Sequence, residues 1–215
     1  MKLNKQLFTS SLLFTILLIV WPVFMALSQP QGTIDERFQW ILQNRTLFNM
    51  QFFFAFLIGP SLIYMFISQL NATGDPFAKT NITGFLFLGA YLVFCCTSYG
   101  AQFVMVPKLI EQNLISIAHV TYFDSGTSVA YFLNQTGYFF WAMGTLVLFS
   151  KFLSFTGPVK TISIFYILSA VLSIVAFLGL IIESKILNSM TFVSGIILLP
   201  AGIISIIWSL NTNYQ

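Results

Sequence analysis

Six stretches of almost unbroken apolar residues, separated by short polar intervals, dominate the chain: 7–28, 47–70, 82–107, 135–154, 161–182 and 187–209. Each holds about the 20 residues that a helix needs to cross a hydrocarbon layer of roughly 30 Å. They lack the alternation and regular turn spacing of barrel strands, so each predicts a helix that satisfies its own backbone. Two polar intervals are patterned as well. In GTIDERFQWILQNR, Thr33 and Glu36 have capping-box spacing, and Ile34, Phe38, Ile41 and Leu42 share one helical face. In PKLIEQNLISIAHV, Ile110, Leu114, Ile117 and Ala118 form a stripe opposite Glu111, Gln112, Ser116 and His119. Both predict short amphipathic helices at a membrane interface. The expected fold is therefore all-α, a polytopic transmembrane helix bundle of six spanning and two interfacial helices, with residues 1–215 forming one integral membrane domain.

Composition agrees with the pattern. Of the 215 residues, 57% are hydrophobic and only 7% charged, whereas a soluble domain carries about a quarter charged residues. The net charge of +3 comes from nine Lys and Arg residues scattered among the loops, so there is no basic patch to hold nucleic acid. With six spans, Lys2, Lys5, Lys79, Lys151 and Lys160 share one side, and Arg37, Arg45, Lys108 and Lys185 the other. The positive-inside rule then places both termini in the cytoplasm and the protein in the cell membrane. The start resembles a signal peptide with a cleavage site at Ala26-Leu27-Ser28, but its apolar run continues through Trp21 and Phe24, which favours an uncleaved first helix. Sequons at Asn44, Asn71, Asn81 and Asn134 fall on opposite faces in this topology, so they are not read as glycan acceptors.

Polar residues inside apolar runs are where function is sought in such a chain, because hydrocarbon offers them no partner. Tyr91, Cys95, Ser98 and Gln102 recur on one face of the third span, with Tyr99 at its edge. Tyr138 and Trp141 on the fourth span and Ser194 on the sixth lie in the same half of the bilayer. Together these residues are the candidate lining of a cavity roofed by the amphipathic segments, although cross-helix hydrogen bonding alone is the preferred reading of the same residues. Pro22, Pro60 and Pro200 each remove a backbone donor within a span and predict local bending.

Catalytic signals are sparse. No central third of a span carries a charge, adjacent Cys95 and Cys96 cannot pair as a metal-binding CxxC motif, and the chain has one histidine. In HVTYFD, His119 and Asp124 have the spacing of the His/Asp pair of lipid acyltransferases, in which the histidine acts as base. A solvated surface histidine is the preferred reading of that pair, and no metal or cofactor is expected. The expected function is non-catalytic binding of a lipophilic ligand, a membrane lipid or a membrane partner in the outer half of the bundle. A small transporter or channel subunit, acting as a homodimer, is the first alternative, and a membrane enzyme acting on a lipid the second.

The amphipathic stretch IDERFQWILQNRTLFNMQF between the first two spans, and the closing small-residue helix SGIILLPAGIISIIW, complete a layout. It resembles that of small six-helix bacterial integral membrane proteins of unknown function. The resemblance implies the architecture and no activity.

Overall fold

The computed structural model describes residues 4–74, 79–123 and 128–210, apart from the side chains of 79–81. Its helices are α1 (Lys5–Leu27), α2 (Ile34–Gln43), α3 (Arg45–Ala72), α4 (Lys79–Val104), α5 (Val106–Glu111), α6 (Ile115–Thr121) and α7 (Val129–Phe149). A 3-10 helix (Ser150–Ser154) follows, then α8 (Pro158–Ile181), α9 (Lys185–Asn188) and α10 (Met190–Leu210). Among the described residues five segments are long and apolar enough to cross a membrane, one fewer than the sequence pattern predicts. The missing one is α7. It has the length, 21 residues, but it begins at Val129 rather than 135 and so adds Asn134 to the Gln135 and Thr136 already in the expected span, and the three together dilute its apolar character. Residues 150–154, assigned to that span from the sequence, form the 3-10 helix instead.

The six long helices make a closed ring: α1 packs on α3, α3 on α4, α4 on α7, α7 on α8, α8 on α10, and α10 returns to α1. Small residues set the tightest approaches. A Cβ on Gly144 of α7 would lie 2.8 Å from the Gly84 carbonyl of α4, and one on Gly137 would lie 2.5 Å from Cys95 Sγ. At the α1–α10 seam a Cβ on Gly202 would lie 2.4 Å from Thr15 Oγ1, while the Asn4 amide reaches the Ser209 carbonyl at 3.1 Å. Close backbone approach through small residues is what holds helices together where apolar burial cannot discriminate between protein and lipid.

One half of the ring is filled. Phe66 of α3 stands at its centre against Trp141, Phe149 and Tyr166, with ring centroids 4.6–5.1 Å away. Beside it the buried Gln69 carboxamide lies 2.8 Å from the Tyr166 hydroxyl and 2.7 Å from that of Ser205, joining α3, α8 and α10. A second polar seam joins α8 to α10, where the Ser194 hydroxyl lies 2.9 Å from that of Ser169 and 2.7 Å from that of Ser173.

The short helices cap the other half. Thr33 and Glu36 form the expected capping box at the start of α2, and Phe38 and Ile41 are buried beneath it. The second amphipathic segment differs from expectation. It is two helices, broken where Asn113 takes a left-handed φ of 58°, a conformation asparagine tolerates better than most residues. The break rotates the stripe, so that Ile110 and Ala118 are buried but Leu114 and Ile117 face outward. Arg45 of α3 pairs with Glu111 of α5 at the surface, a contact worth about 0–1 kcal/mol. Pro22, Pro60 and Pro200 lie within helices that continue through them. At the opposite end Gly157, at φ 68°, turns the chain into Pro158 at the first position of α8, a backbone shape that glycine adopts without strain.

Two outcomes follow from this packing. Gly144→Ala should destabilise the bundle by about 1–3 kcal/mol, because the methyl group meets backbone that cannot move aside. Gly89→Ala, whose methyl meets open space, should be neutral or stabilising by up to about 1 kcal/mol; equilibrium unfolding in mixed detergent micelles measures both. The second concerns acid. The Thr33 amide, and then its hydroxyl, hold the Glu36 carboxyl below its ordinary value of 4.5. A carboxyl lowered in the folded state stabilises α2 above that value and loses the contribution as pH falls through its own lower one. Hydrogen exchange of the first turn of α2, corrected for intrinsic rate, should therefore quicken below about pH 4.5, and Glu36→Gln should abolish that pH dependence.

Candidate functional site

The half of the ring that Phe66 does not fill encloses a cavity of about 740 Å³. Its lining begins at Leu18 on α1, ends at Phe52 on α3 and extends down to Leu199 on α10, so it occupies the half that carries α2, α5, α6 and α9. Two kinds of wall face each other.

The wall built from α3, α4 and α7 is polar and uncharged, formed by Gln51, Tyr99, Asn134, Gln135 and Tyr138. Helical spacing places Asn134 and Tyr138 one turn apart on α7, with Tyr131 one turn before Gln135. Most of these groups are held in place. Ser28 hydrogen-bonds the Gln51 carboxamide oxygen, Thr191 donates to the Gln135 carboxamide oxygen at 2.8 Å, and the Tyr131 hydroxyl donates to Asn188 at 2.9 Å. The Tyr99 and Tyr138 hydroxyls lie 3.3 Å apart. Asn134 differs: it is 3% exposed, and its carboxamide oxygen has no hydrogen-bond partner.

The wall built from α1 and α10 is apolar, carrying Leu18, Trp21 and Met25 on one helix and Phe192, Ile196 and Leu199 on the other. These two helices touch at Gly202 and Thr15 and diverge toward the cavity. At Gly195, two turns above Gly202, a Cβ would meet nothing within 4 Å. The divergence leaves a lateral gap, and Ile19, Phe192 and Ile196 at its edges are 48–54% exposed although they also line the cavity. Gln29, Gln31 and Arg37 stand at the roof, with Tyr122 and Phe123. Arg37 is the only charged residue among the described lining residues, and its Nε donates to the Gly32 carbonyl at 2.9 Å.

Of the candidates chosen from the sequence, Tyr99 and Tyr138 line the cavity. The others are buried between helices. Cys95 meets the Asn134 carbonyl at 3.7 Å, and Ser98 donates to the Ala130 carbonyl at 2.7 Å, both at the α4–α7 interface. Tyr91 and Trp141 meet at a tilt of 53° with ring centroids 5.9 Å apart below the cavity, and Ser194 faces α8. Gln102 anchors the roof: its amide donates to the Thr121 carbonyl at 2.9 Å and its oxygen accepts the Phe123 amide at 2.8 Å. His119 is exposed on α6 and is absent from the lining; Asp124 lies outside the described residues. Among those residues no three His, Cys, Asp or Glu side chains cluster as metal ligands.

The α7 contribution was hidden in plain view. The Asn-Gln-Thr run at 134–136 is the strongest polar interruption of an apolar segment, but its first position reads as part of a sequon and the residues sit at the edge of the expected span. The apolar α1–α10 wall has no signal of its own, since Leu, Met and Ile occur on outward faces and cavity faces alike.

Comparison with known proteins finds no matching family, no similar curated protein and no similar solved structure.

Because Gln102 is fully buried and holds the segment that carries Tyr122 and Phe123, Gln102→Leu strands two backbone groups. It should cost about 1–3 kcal/mol and speed hydrogen exchange at Phe123. A variant as stable as the parent would mean that the roof is held by something else.

Proposed function

We propose that the chain is an integral membrane protein whose six long helices all span the bilayer, and that it binds a lipophilic ligand taken laterally from the membrane. The observation that carries this reading is the 740 Å³ cavity with its gap between α1 and α10. The volume lies in the range of about 300–1,000 Å³ typical of small-molecule sites, and the exposed faces beside the gap are aliphatic and aromatic, as a lipid-facing entrance requires. α7 becomes the sixth span because its polar residues turn inward. Asn134 and Gln135 are buried in the ring, and 21 residues at about 1.5 Å each cover the hydrocarbon thickness.

Several features favour binding over chemistry. The described lining carries tyrosines, carboxamides and one arginine, with no carboxylate or histidine to serve as general base. The positive-inside rule, applied to the ring, sets the end bearing Lys5 and Leu210 in the cytoplasm and opens the cavity in the outer half of the cell membrane.

Gly195→Trp tests the reading, since the indole would project into open cavity without disturbing a helix contact. Solvent extraction of the purified parent should release about one equivalent of a co-purifying lipophile, and Gly195→Trp should lower that at least about tenfold while its helix content and monodispersity stay those of the parent, its unfolding temperature falling by what the lost occupant contributed. A tryptophan in place of Ile207, outward-facing on the same helix, should have no effect. Equal lipophile content in all three proteins would sink the proposal.

A further inference from the structure

Resting on that binding site, the chemistry of its two walls narrows the ligand further. The polar wall is uncharged and deeply buried: Gln135 is 1% exposed, Asn134 3%, Tyr99 7% and Gln51 9%. A phosphate or carboxylate pressed against phenols and carboxamides in such a setting loses its hydration without gaining a countercharge. The arginine that lines the cavity stands at the roof, engaged with the Gly32 carbonyl, and not on this wall. The wall's own hydrogen bonds are largely spent on one another, through Ser28, Thr191 and Asn188. What remains is the carboxamide of Asn134, whose oxygen is buried and unpartnered. Its requirement is a hydrogen-bond donor.

We propose that the ligand is an uncharged lipid alcohol, with its hydroxyl on the Asn134 carboxamide and its hydrocarbon body leaving the ring between α1 and α10. A hydroxyl is both donor and acceptor, so it satisfies the carboxamide whichever way the amide is turned. The hydrocarbon follows the apolar wall past Leu199 and Ile196 and emerges beside Gly195, where the helices stand apart. Diacylglycerols and long isoprenoid alcohols share this chemistry, and their bodies differ enough for experiment to separate them.

The test uses the full chain in lipid nanodiscs, with the fluorescence of Trp21, which lines the cavity, as the reporter in a variant whose other tryptophans are phenylalanine. Four probes are titrated: dioleoylglycerol, a diterpenoid alcohol, the methyl ether of the tighter-binding of these two, and dioleoyl phosphatidic acid. At least one alcohol should bind about tenfold or more tightly than its ether, and Asn134→Leu should remove that difference by weakening the alcohol alone. The tighter alcohol identifies the body the cavity prefers. Should Asn134→Leu fail to fold, the alcohol-to-ether ratio in the parent decides the matter unaided. Phosphatidic acid binding more tightly than both alcohols would overturn the proposal in favour of an anionic ligand, as would a loss of binding on Arg37→Gln alone. Equal affinity for alcohol and ether would overturn it while leaving lateral lipid binding intact. Failure of every probe to bind, with no effect of Gly195→Trp, would instead remove the binding site itself.

Discussion

A carboxamide buried in a helix bundle has four hydrogen-bonding positions to satisfy and little freedom to move, and Gln69 meets that demand by joining three helices. Its contacts with Tyr166 and Ser205 tie α3 to α8 and α10, and the Phe66 cluster closes around it. Replaced by an apolar side chain, the same position would permit several rotations of α3 against its neighbours. A partnered carboxamide permits one. The register of the whole ring is referred to this point, including the face that α3 turns toward the cavity one half-length away.

The cavity is then a consequence of side-chain size and helix divergence together. In one half, Phe66, Trp141, Phe149 and Tyr166 converge on the ring axis. In the other, the inward positions of α10 pass through Gly195, and α1 moves away from it. The glycine contacts between α4 and α7 keep the polar wall rigid, because helices that approach through backbone have no long side chains to rearrange. A stiff polar wall faces a seam with little packed across it.

Much of this was legible from the chain alone. Periodicity located the long helices to within a few residues, apart from α7, and the capping box marked the start of α2. Five rather than six of the described segments are apolar enough to cross a membrane by composition, because the run rich in Phe, Trp and Leu carries Asn134 and Gln135 in the first turns of its helix. The residues of the third-span stripe are buried along α4, but spacing does not say what a stripe meets. Ser98 and Cys95 meet α7 and Gln102 meets the roof, leaving Tyr99 and its partner Tyr138 on the cavity. Which polar residues border empty space depends on how far apart two other helices stand, and that distance is set by Thr15 and Gly202, far away in sequence from both. The break at Asn113 was missed for a different reason: Ile110, Leu114, Ile117 and Ala118 keep helical spacing in the sequence straight through it, and nothing in that spacing shows that one left-handed residue splits the helix and turns Leu114 and Ile117 outward.

The seam between α1 and α10 joins the first long helix of the ring to the last. On a chain made from its N-terminus, the interfaces among α1, α3, α4, α7 and α8 can form while synthesis is still under way, but this one, like that between α8 and α10, waits for the final helix. Until then the polar wall faces an open horseshoe. Whatever molecule lies against α7 at that moment is enclosed when α10 docks at Thr15. On the binding reading proposed above, the first occupant would be acquired by assembly around it, and only later exchanges would depend on the width of the gap.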